Sequence, residues 1–345
     1  MVWARDVAER AGVSPSTVSR ALFAPEKVSA AARERVLKAA AELDYRPNAA
    51  ARGLRLGWHH AIGLLAPDLE NPYFAAITKA VQARAQSAGY SLVITDSDED
   101  AGREADLISM LKGRVDGLVL ASPRSEADVV LGALDGLPAV VTSRYIEGLP
   151  AVLADEERGA SQVVGHLRAL GHRHIAVAWG PASSYSGAQR RVGLKEAADR
   201  FGDVTLVDVG EFAPYFSGGF AAADHVLASG ATAVVAFNDL MAIGILGRLG
   251  ERGVRVPDDI SLVGFDDVPV ASFVSPTLTT VRVPRARIGG RAVELLADAL
   301  DETRSNPPET PMVLPAELVI RASSAQPPAP STGRADDSRL AVTMP

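Results

Sequence analysis

The sequence predicts an all-α helix-turn-helix head followed by an α/β core of two lobes built on parallel sheets. Three observations carry this prediction. Residues 1–47 read as three short amphipathic helices. From Ala61 onward, apolar runs of strand length alternate with helical stretches, the pattern of parallel sheets covered on both faces. The chain has 345 residues, and the roughly 260 that follow the head exceed what one such sheet needs.

In the head, a first helix is expected over 4–10, with Val7, Ala8 and Ala11 on its buried face. Gly12 supplies the turn, because it has no Cβ to resist a left-handed conformation. Ser14 is placed to cap a second helix, and Pro15 occupies its first position, where a missing N–H costs nothing. Val18 and Leu22, four apart, form a stripe that packs back on the first helix. Pro15, Ser16, Thr17 and Arg20 are left facing outward, as a surface that reads DNA bases requires. Taken alone, the same pattern also suits a helical hairpin inside a core. Ser29 then caps a third helix over 30–43, with Val36, Leu37, Ala40 and Leu43 on one face.

Residues 48–59 form a hinge and linker. Asn48 can cap a short helix, but under three turns with Gly53 inside make it marginal alone. It reads either as a plain linker or as a hinge that orders only against a partner. The core is expected over 60–323, with buried strands at 61–66, 90–95, 115–121, 139–142, 174–179, 204–209, 231–237 and 260–265. Helices are expected at 73–88, 104–112, 156–170, 186–200, 217–228, 240–251 and 285–301. A cleft between the lobes would be lined by loops at the strand carboxyl ends, where α/β proteins bind ligands. The Pro-rich polar run 324–345 reads as an unstructured tail.

Net charge is −7, which argues against a nucleic-acid partner until its distribution is considered. Residues 1–57 hold 10 Lys and Arg against 6 Asp and Glu, a balance of +4, so the remainder carries −11. A basic head on an acidic body can bind phosphates locally, since screening confines the field to about 8–10 Å. The chain has no cysteine, so disulfides and thiolate metal sites are excluded. With Asp6 and Glu9 near the start and no apolar run of membrane-spanning length, a cytoplasmic protein is expected.

Chain-long motifs then appear in order: Asp6-Val-Ala, Ala11-Gly-Val-Ser, Thr17-Val-Ser-Arg20, Val28-Ser, and Leu43-Asp-Tyr-Arg-Pro-Asn48. The core continues with Ile62-Gly-Leu-Leu-Ala-Pro-Asp68, Asn71-Pro-Tyr-Phe74, Arg114-Val-Asp-Gly-Leu118 and Gly171-His-Arg-His-Ile-Ala176. It closes with Phe237-Asn-Asp-Leu-Met-Ala242, Val263-Gly-Phe-Asp-Asp267 and Pro276-Thr-Leu-Thr-Thr280. From about Asp6 to Arg321 the sequence resembles the lactose/galactose-repressor (LacI/GalR) family of bacterial transcription regulators. The resemblance implies a core like the type I periplasmic sugar-binding proteins and a homodimer on a palindromic double-stranded operator. A small, sugar-like effector in the cleft would alter operator affinity, as inducer or as co-repressor. It implies DNA contacts at Pro15, Ser16, Thr17, Ser19, Arg20, Asn48, Arg52 and Leu54. Of these, Arg20 is the strongest base reader, because a guanidinium bonds guanine O6 and N7 together. Thr17, Ser19, Asn48 and Arg52 suit backbone contacts, and Leu54 matches a leucine inserted into the minor groove.

The effector contacts implied are Tyr73, Phe74, Ser143, Arg190, Phe212, Asn238 and Asp266. Carboxylate, guanidinium and amide suit vicinal hydroxyls, and aromatic faces suit the C–H faces of a sugar ring. Each has a plainer reading: Asp266 with Asp267 as a solvated loop, Arg190 with Arg191 as helix surface, Phe74 and Phe212 as core. Trp3 stands where relatives carry a capping Thr, Phe23 where a polar residue is common, and Ser143 where some carry Asp. The segment 212–217 is slightly long, which leaves the register of Phe212 open. A solute-binding protein would share the cleft but not the head and hinge. An enzyme is not expected: no phosphate loop, nucleophile elbow or metal-spaced histidine pair occurs, and neither cofactor nor metal is implied.

Overall fold

The computed structural model describes residues 2–23, 25–45, 59–301 and 310–328. The chain divides into two units, 1–60 and 61–345. In the first, helices α1 (Ala4–Ala11), α2 (Pro15–Phe23) and α3 (Ala30–Glu42) enclose a small core. Val7, Val18 and Val36 are almost wholly buried in it, with alanines at 8, 11, 21, 39 and 40 filling the close approaches. The turn after α1 is closed by Gly12 at φ 61°, in the left-handed region the sequence assigned to it. Ser14 Oγ accepts from the Thr17 N–H at 3.2 Å, and Ser29 Oγ from the Ala32 N–H at 3.3 Å.

Two expectations for this unit change. Leu37 is 44% exposed and Ala39 turns inward instead, because Leu37 lies about 100° around the helix from Val36. Trp3 keeps half of a reciprocal cap: its backbone N–H donates to Asp6 Oδ2 at 2.7 Å. The indole, a donor only, cannot return the bond.

The second unit holds two six-stranded sheets. One comprises β1 (Ala61–Ala66), β2 (Ser91–Asp96), β3 (Gly117–Ala121), β4 (Ala139–Thr142), β5 (Ala151–Ala154) and β11 (Met312–Leu314), in the order β11-β5-β4-β3-β1-β2. The other comprises β6 (His174–Trp179), β7 (Thr205–Glu211), β8 (Ala233–Ala236), β9 (Ser261–Asp266), β10 (Thr279–Arg282) and β12 (Glu317–Val319), in the order β12-β10-β9-β8-β6-β7. Every pairing is parallel except β10 with β12. Strands β1, β3, β4, β8 and β9 are buried along their whole length, the signature of sheets covered on both faces.

The covering helices are α4 (Pro72–Ser87), α5 (Ala101–Lys112), α6 (Ala127–Leu134), α7 (Glu156–Leu170), α8 (Tyr185–Phe201), α9 (Phe216–Ala228), α10 (Asp239–Glu251) and α11 (Arg285–Leu300). Gly219 and Gly244 let α9 and α10 pack backbone to backbone. A Cβ on Gly219 would fall 1.9 Å from the Met241 carbonyl, and one on Gly244 would fall 2.0 Å from that of Phe216.

Between the sheets the chain crosses three times: from β5 into α7, from β10 into α11, and from β11 into β12. α11 packs on α4, β3, β4 and β5, which returns it to the first lobe. The sequence reading placed eight strands and missed four, together with α6. Ser324 and Ala325, assigned to the tail, are instead hydrogen-bonded to the second lobe. The Ala325 N–H donates to Ser261 Oγ at 3.0 Å, and His172 Nε2 lies 2.9 Å from the Ala325 carbonyl. Among the described residues no helix is long and apolar enough to cross a membrane.

Candidate DNA-reading face and effector cleft

On α2, Val18 and Ala21 turn into the core, so the opposite side of the helix is free. Pro15, Ser16, Ser19 and Arg20 are exposed there and Thr17 is half-buried. Ser14 Oγ lies 2.8 Å from Ser16 Oγ and 2.9 Å from Thr17 Oγ1, so three hydroxyls share the start of the helix. No described carboxylate pairs with Arg20, whereas Arg10 is tied to Glu42 at 2.7 Å. Asn48, Arg52 and Leu54 lie outside the described residues.

The cleft of the second unit is built from strand ends. Tyr73 and Phe74 follow β1, Arg124 follows β3, Ser143 follows β4, Ser186 and Arg190 follow β6, Asn238 follows β8, and Asp266 ends β9. All of them bound one cavity of about 30 Å3, joined by Asn71, Glu99, Ser122, Ser184, Pro214 and Phe237. That volume suits one or two waters, far below the several hundred Å3 of a ligand pocket. The described conformation is therefore nearly filled by its own side chains, and Ser186 Oγ bridges the lobes by donating to the Ser143 carbonyl at 3.2 Å. Glu99, Ser122, Ser143 and Asp266 all have positive φ, at 55°, 49°, 57° and 107°. Such strain in residues other than glycine concentrates where side chains must be aimed.

Arg190 lies at the centre of the cleft. Its Nε donates to Glu156 Oε2 at 2.8 Å and its Nη2 to Asp266 Oδ1 at 3.0 Å. Its Nη1 donates to the Phe237 carbonyl at 2.6 Å, and the guanidinium carbon sits 4.4 Å from the centre of the Phe265 ring. Burial works against the charge of Arg190, but Glu156 and Asp266 outweigh it and hold the guanidinium protonated above its ordinary range. Burial pushes the Glu156 carboxyl up, and Arg190 pulls it back. Nearby, Arg124 is bound through Nε and Nη2 to both Glu99 oxygens at 2.7 and 2.9 Å, and through Nη1 to Ser122. Tyr73 Oη lies 2.7 Å from Ser143 Oγ, and burial raises the phenol so that it stays neutral.

Six of the seven expected contacts are thus brought together, and Phe212 is not. β7 runs on to Glu211, beyond the expected 209. It carries Phe212 to a position where its N–H donates to the Trp179 carbonyl at 2.9 Å. The Phe212 ring stands edge-on to His225, 5.6 Å away, beside the apolar cluster of the second lobe. Phe237 bounds the cavity instead. Asn238 is present with its amide partly committed: Oδ1 caps α10 by accepting from the Met241 N–H, and Nδ2 donates to the Pro214 carbonyl, each at 2.9 Å.

Glu156, Arg124 and Glu99 were missed. Glu156 read as the first residue of the helix expected over 156–170. The available signal was the guanidinium itself, since a buried Arg190 carries five N–H donors, more than Asp266 alone can accept.

Comparison with known proteins fits both halves. Residues 4–48 match the model of the bacterial regulatory proteins of the lacI family, and 164–324 match a periplasmic binding protein-like domain. The transcriptional repressor PurR of Pectobacterium atrosepticum (strain SCRI 1043) is 34% identical over 319 residues, covering 89% of this chain and 92% of PurR. The lac repressor dimer bound to operator and an anti-inducer is 31% identical, with a TM-score of 0.82 over 94% of this chain and 99% of that one. The transcriptional regulator CelR in complex with cellobiose is 29% identical, with a TM-score of 0.71 over 94% of this chain and 100% of that one.

Proposed function

The chain belongs to the lacI family of bacterial regulatory proteins, and on that premise we propose that it is a repressor whose grip on a palindromic operator is set by a sugar-like effector in the cleft. It is a DNA-binding transcriptional regulator with an effector-binding core, and not an enzyme. The observation that carries the effector reading is the buried Arg190–Asp266–Glu156 cluster at the strand ends. Such a cluster is costly to desolvate, and placed beside hydroxyls it suits a polyol.

In this reading the protein works as a homodimer in the cytoplasm, where its DNA is. Residues 1–47 form the head, 48–59 the hinge, and 60–323 the effector-binding and dimerisation core. Arg20 reads a guanine, while Pro15 and Ser16 add shape and hydrogen bonding. Thr17, Ser19, Asn48 and Arg52 hold the backbone, and Leu54 wedges into the minor groove. Tyr73, Phe74, Ser143, Arg190, Asn238 and Asp266 hold the effector. The three crossovers are where one lobe turns against the other, and the marginal hinge converts that turn into gained or lost operator contact.

The test is selection of bound duplexes from a random pool by the purified protein, followed by salt-dependent binding. A palindrome is expected to emerge. Leu54→Ala is expected to weaken binding to that palindrome far more than to unrelated DNA. A pool that enriches nothing rejects the regulatory reading, and equal losses on both duplexes remove the wedge role from Leu54.

A further inference from the structure

We infer that the effector of this cleft is an uncharged polyhydroxy compound, and that Glu156 is the residue that keeps its anionic relatives, phosphorylated sugars and sugar acids, out. This rests on the cleft being the effector site proposed above.

Recognition of an anion requires a cation with donors to spare. The cavity is bounded by two cations, Arg124 and Arg190, and each is already held by carboxylates. Arg124 is engaged by both oxygens of Glu99, and its remaining terminal nitrogen goes to Ser122. Arg190 is shared between Glu156, which takes Nε and Nη2, and Asp266, while Nη1 goes to a backbone carbonyl. Glu156 lies behind Arg190, outside the lining itself, so three carboxylates share two guanidiniums and the cluster carries one surplus negative charge.

Helix N-termini are the other source of anion affinity, and Asn71, Ser184 and Asn238 at three of them border the cavity. Each end is capped by its own side chain. Asn71 Oδ1 accepts from the Tyr73 N–H, Ser184 Oγ from that of Gly187 and Asn238 Oδ1 from that of Met241, at 3.0, 3.2 and 2.9 Å. Glu156, in the first turn of α7, sits at a further helix N-terminus behind Arg190. Each neutral cap takes up one of the free N–H groups at its helix end, and at α7 the partial positive charge supports the buried Glu156 carboxylate. The groups with capacity left are Asp266 Oδ2, which takes no hydrogen bond from a described residue, and the hydroxyls of Tyr73 and Ser143. These suit ligand hydroxyls, whereas a phosphate or carboxylate would meet Asp266 with nothing to neutralise it.

The experiment titrates the full-length protein by calorimetry and thermal shift with matched probes. Neutral D-ribose, D-glucose, cellobiose and adenosine are compared with ribose 5-phosphate, glucose 6-phosphate, gluconate and adenosine 5′-monophosphate. Wild type, Glu156→Gln, Glu156→Asp and Asp266→Ala are run in parallel. At least one neutral probe is expected to bind wild type at least tenfold more tightly than its anionic partner, and to lose binding in Asp266→Ala. Glu156→Gln is expected to narrow that gap to under threefold, and Glu156→Asp, which keeps the charge, to preserve it.

An anionic probe that matches or beats its parent on wild type overturns the inference and leaves the cleft reading intact. A folded Glu156→Gln with an unchanged gap removes Glu156 from the role. Binding that persists in Asp266→Ala, or no response to any probe, overturns the inference together with the cleft reading. The wild-type comparison decides the charge class even if Glu156→Gln does not fold.

Discussion

At the scale of single residues, the cleft turns on charges that have left water. Removing Arg190 strands Glu156 and Asp266 without their counter-charge, and breaking such a buried pair costs about 3–5 kcal/mol. Arg190→Met is therefore expected to lower the midpoint of urea unfolding sharply, and Arg190→Met with Glu156→Gln to recover part of the loss. Asp239, behind the cleft, is a different case. Burial raises its carboxyl well above the ordinary value of 3.8, with Asp266 adding to the rise, while it accepts from the Val268 N–H at 2.8 Å and from Thr280 Oγ1. A raised folded-state pKa means that stability is fully present below about pH 3.8 and declines as pH climbs through the folded value. Asp239→Asn should remove that decline, so the difference in unfolding free energy between variant and wild type should grow with pH above 4. A constant difference across that range would contradict this account of Asp239.

The residue scale also shows where the sequence was readable. Tyr73, Phe74, Asn238 and Asp266 fell in motifs, and the structure brings them together with Arg190, which the family resemblance alone implied. Phe212 did not stay with them, because two extra residues of β7 changed where its ring goes. Glu156 escaped notice because a glutamate opening a helix is ordinary on its own; only its burial against Arg190 makes it exceptional.

At the scale of elements, the head is small enough for individual contributions to show. Val18 is 1% exposed at the centre of three helices whose other buried residues are mostly alanines. Losing two methyl groups there costs about 1.6 kcal/mol by area alone, and a cavity term adds to it. Val18→Ala should lower the melting temperature of the head and weaken DNA binding in proportion. Ser14→Ala removes the bond to the Thr17 N–H and should cost about 1 kcal/mol, read by the same melting curve. The helices other than the eight-residue α6 were legible because their periodicity extends over many residues, and the strands that were read, including the short β4 and β8, showed as continuous apolar runs. β5, β10, β11 and β12 span only three or four residues each, too few to show a period, and their pairing is set by neighbours far away in sequence. The bonds of Ala325 were unreadable for the same reason: its partners, Ser261 and His172, lie far away in sequence.

At the scale of the whole molecule, two six-stranded sheets are joined by three crossovers. A cavity of about 30 Å3 cannot admit a sugar until the lobes part or side chains swing away. An effector therefore selects an arrangement different from the one described, and its differential affinity for the two arrangements is what reaches the operator. The measurement that tests this most directly is operator affinity by fluorescence anisotropy, with and without a neutral sugar that stabilises the core, on wild type and Asp266→Ala side by side. The sugar should change wild-type operator affinity by roughly 5- to 150-fold, the range of a working allosteric coupling. Asp266→Ala should bind operator as wild type does and ignore the sugar. An equal response in both proteins, or none in wild type, would contradict control of DNA binding through this cleft.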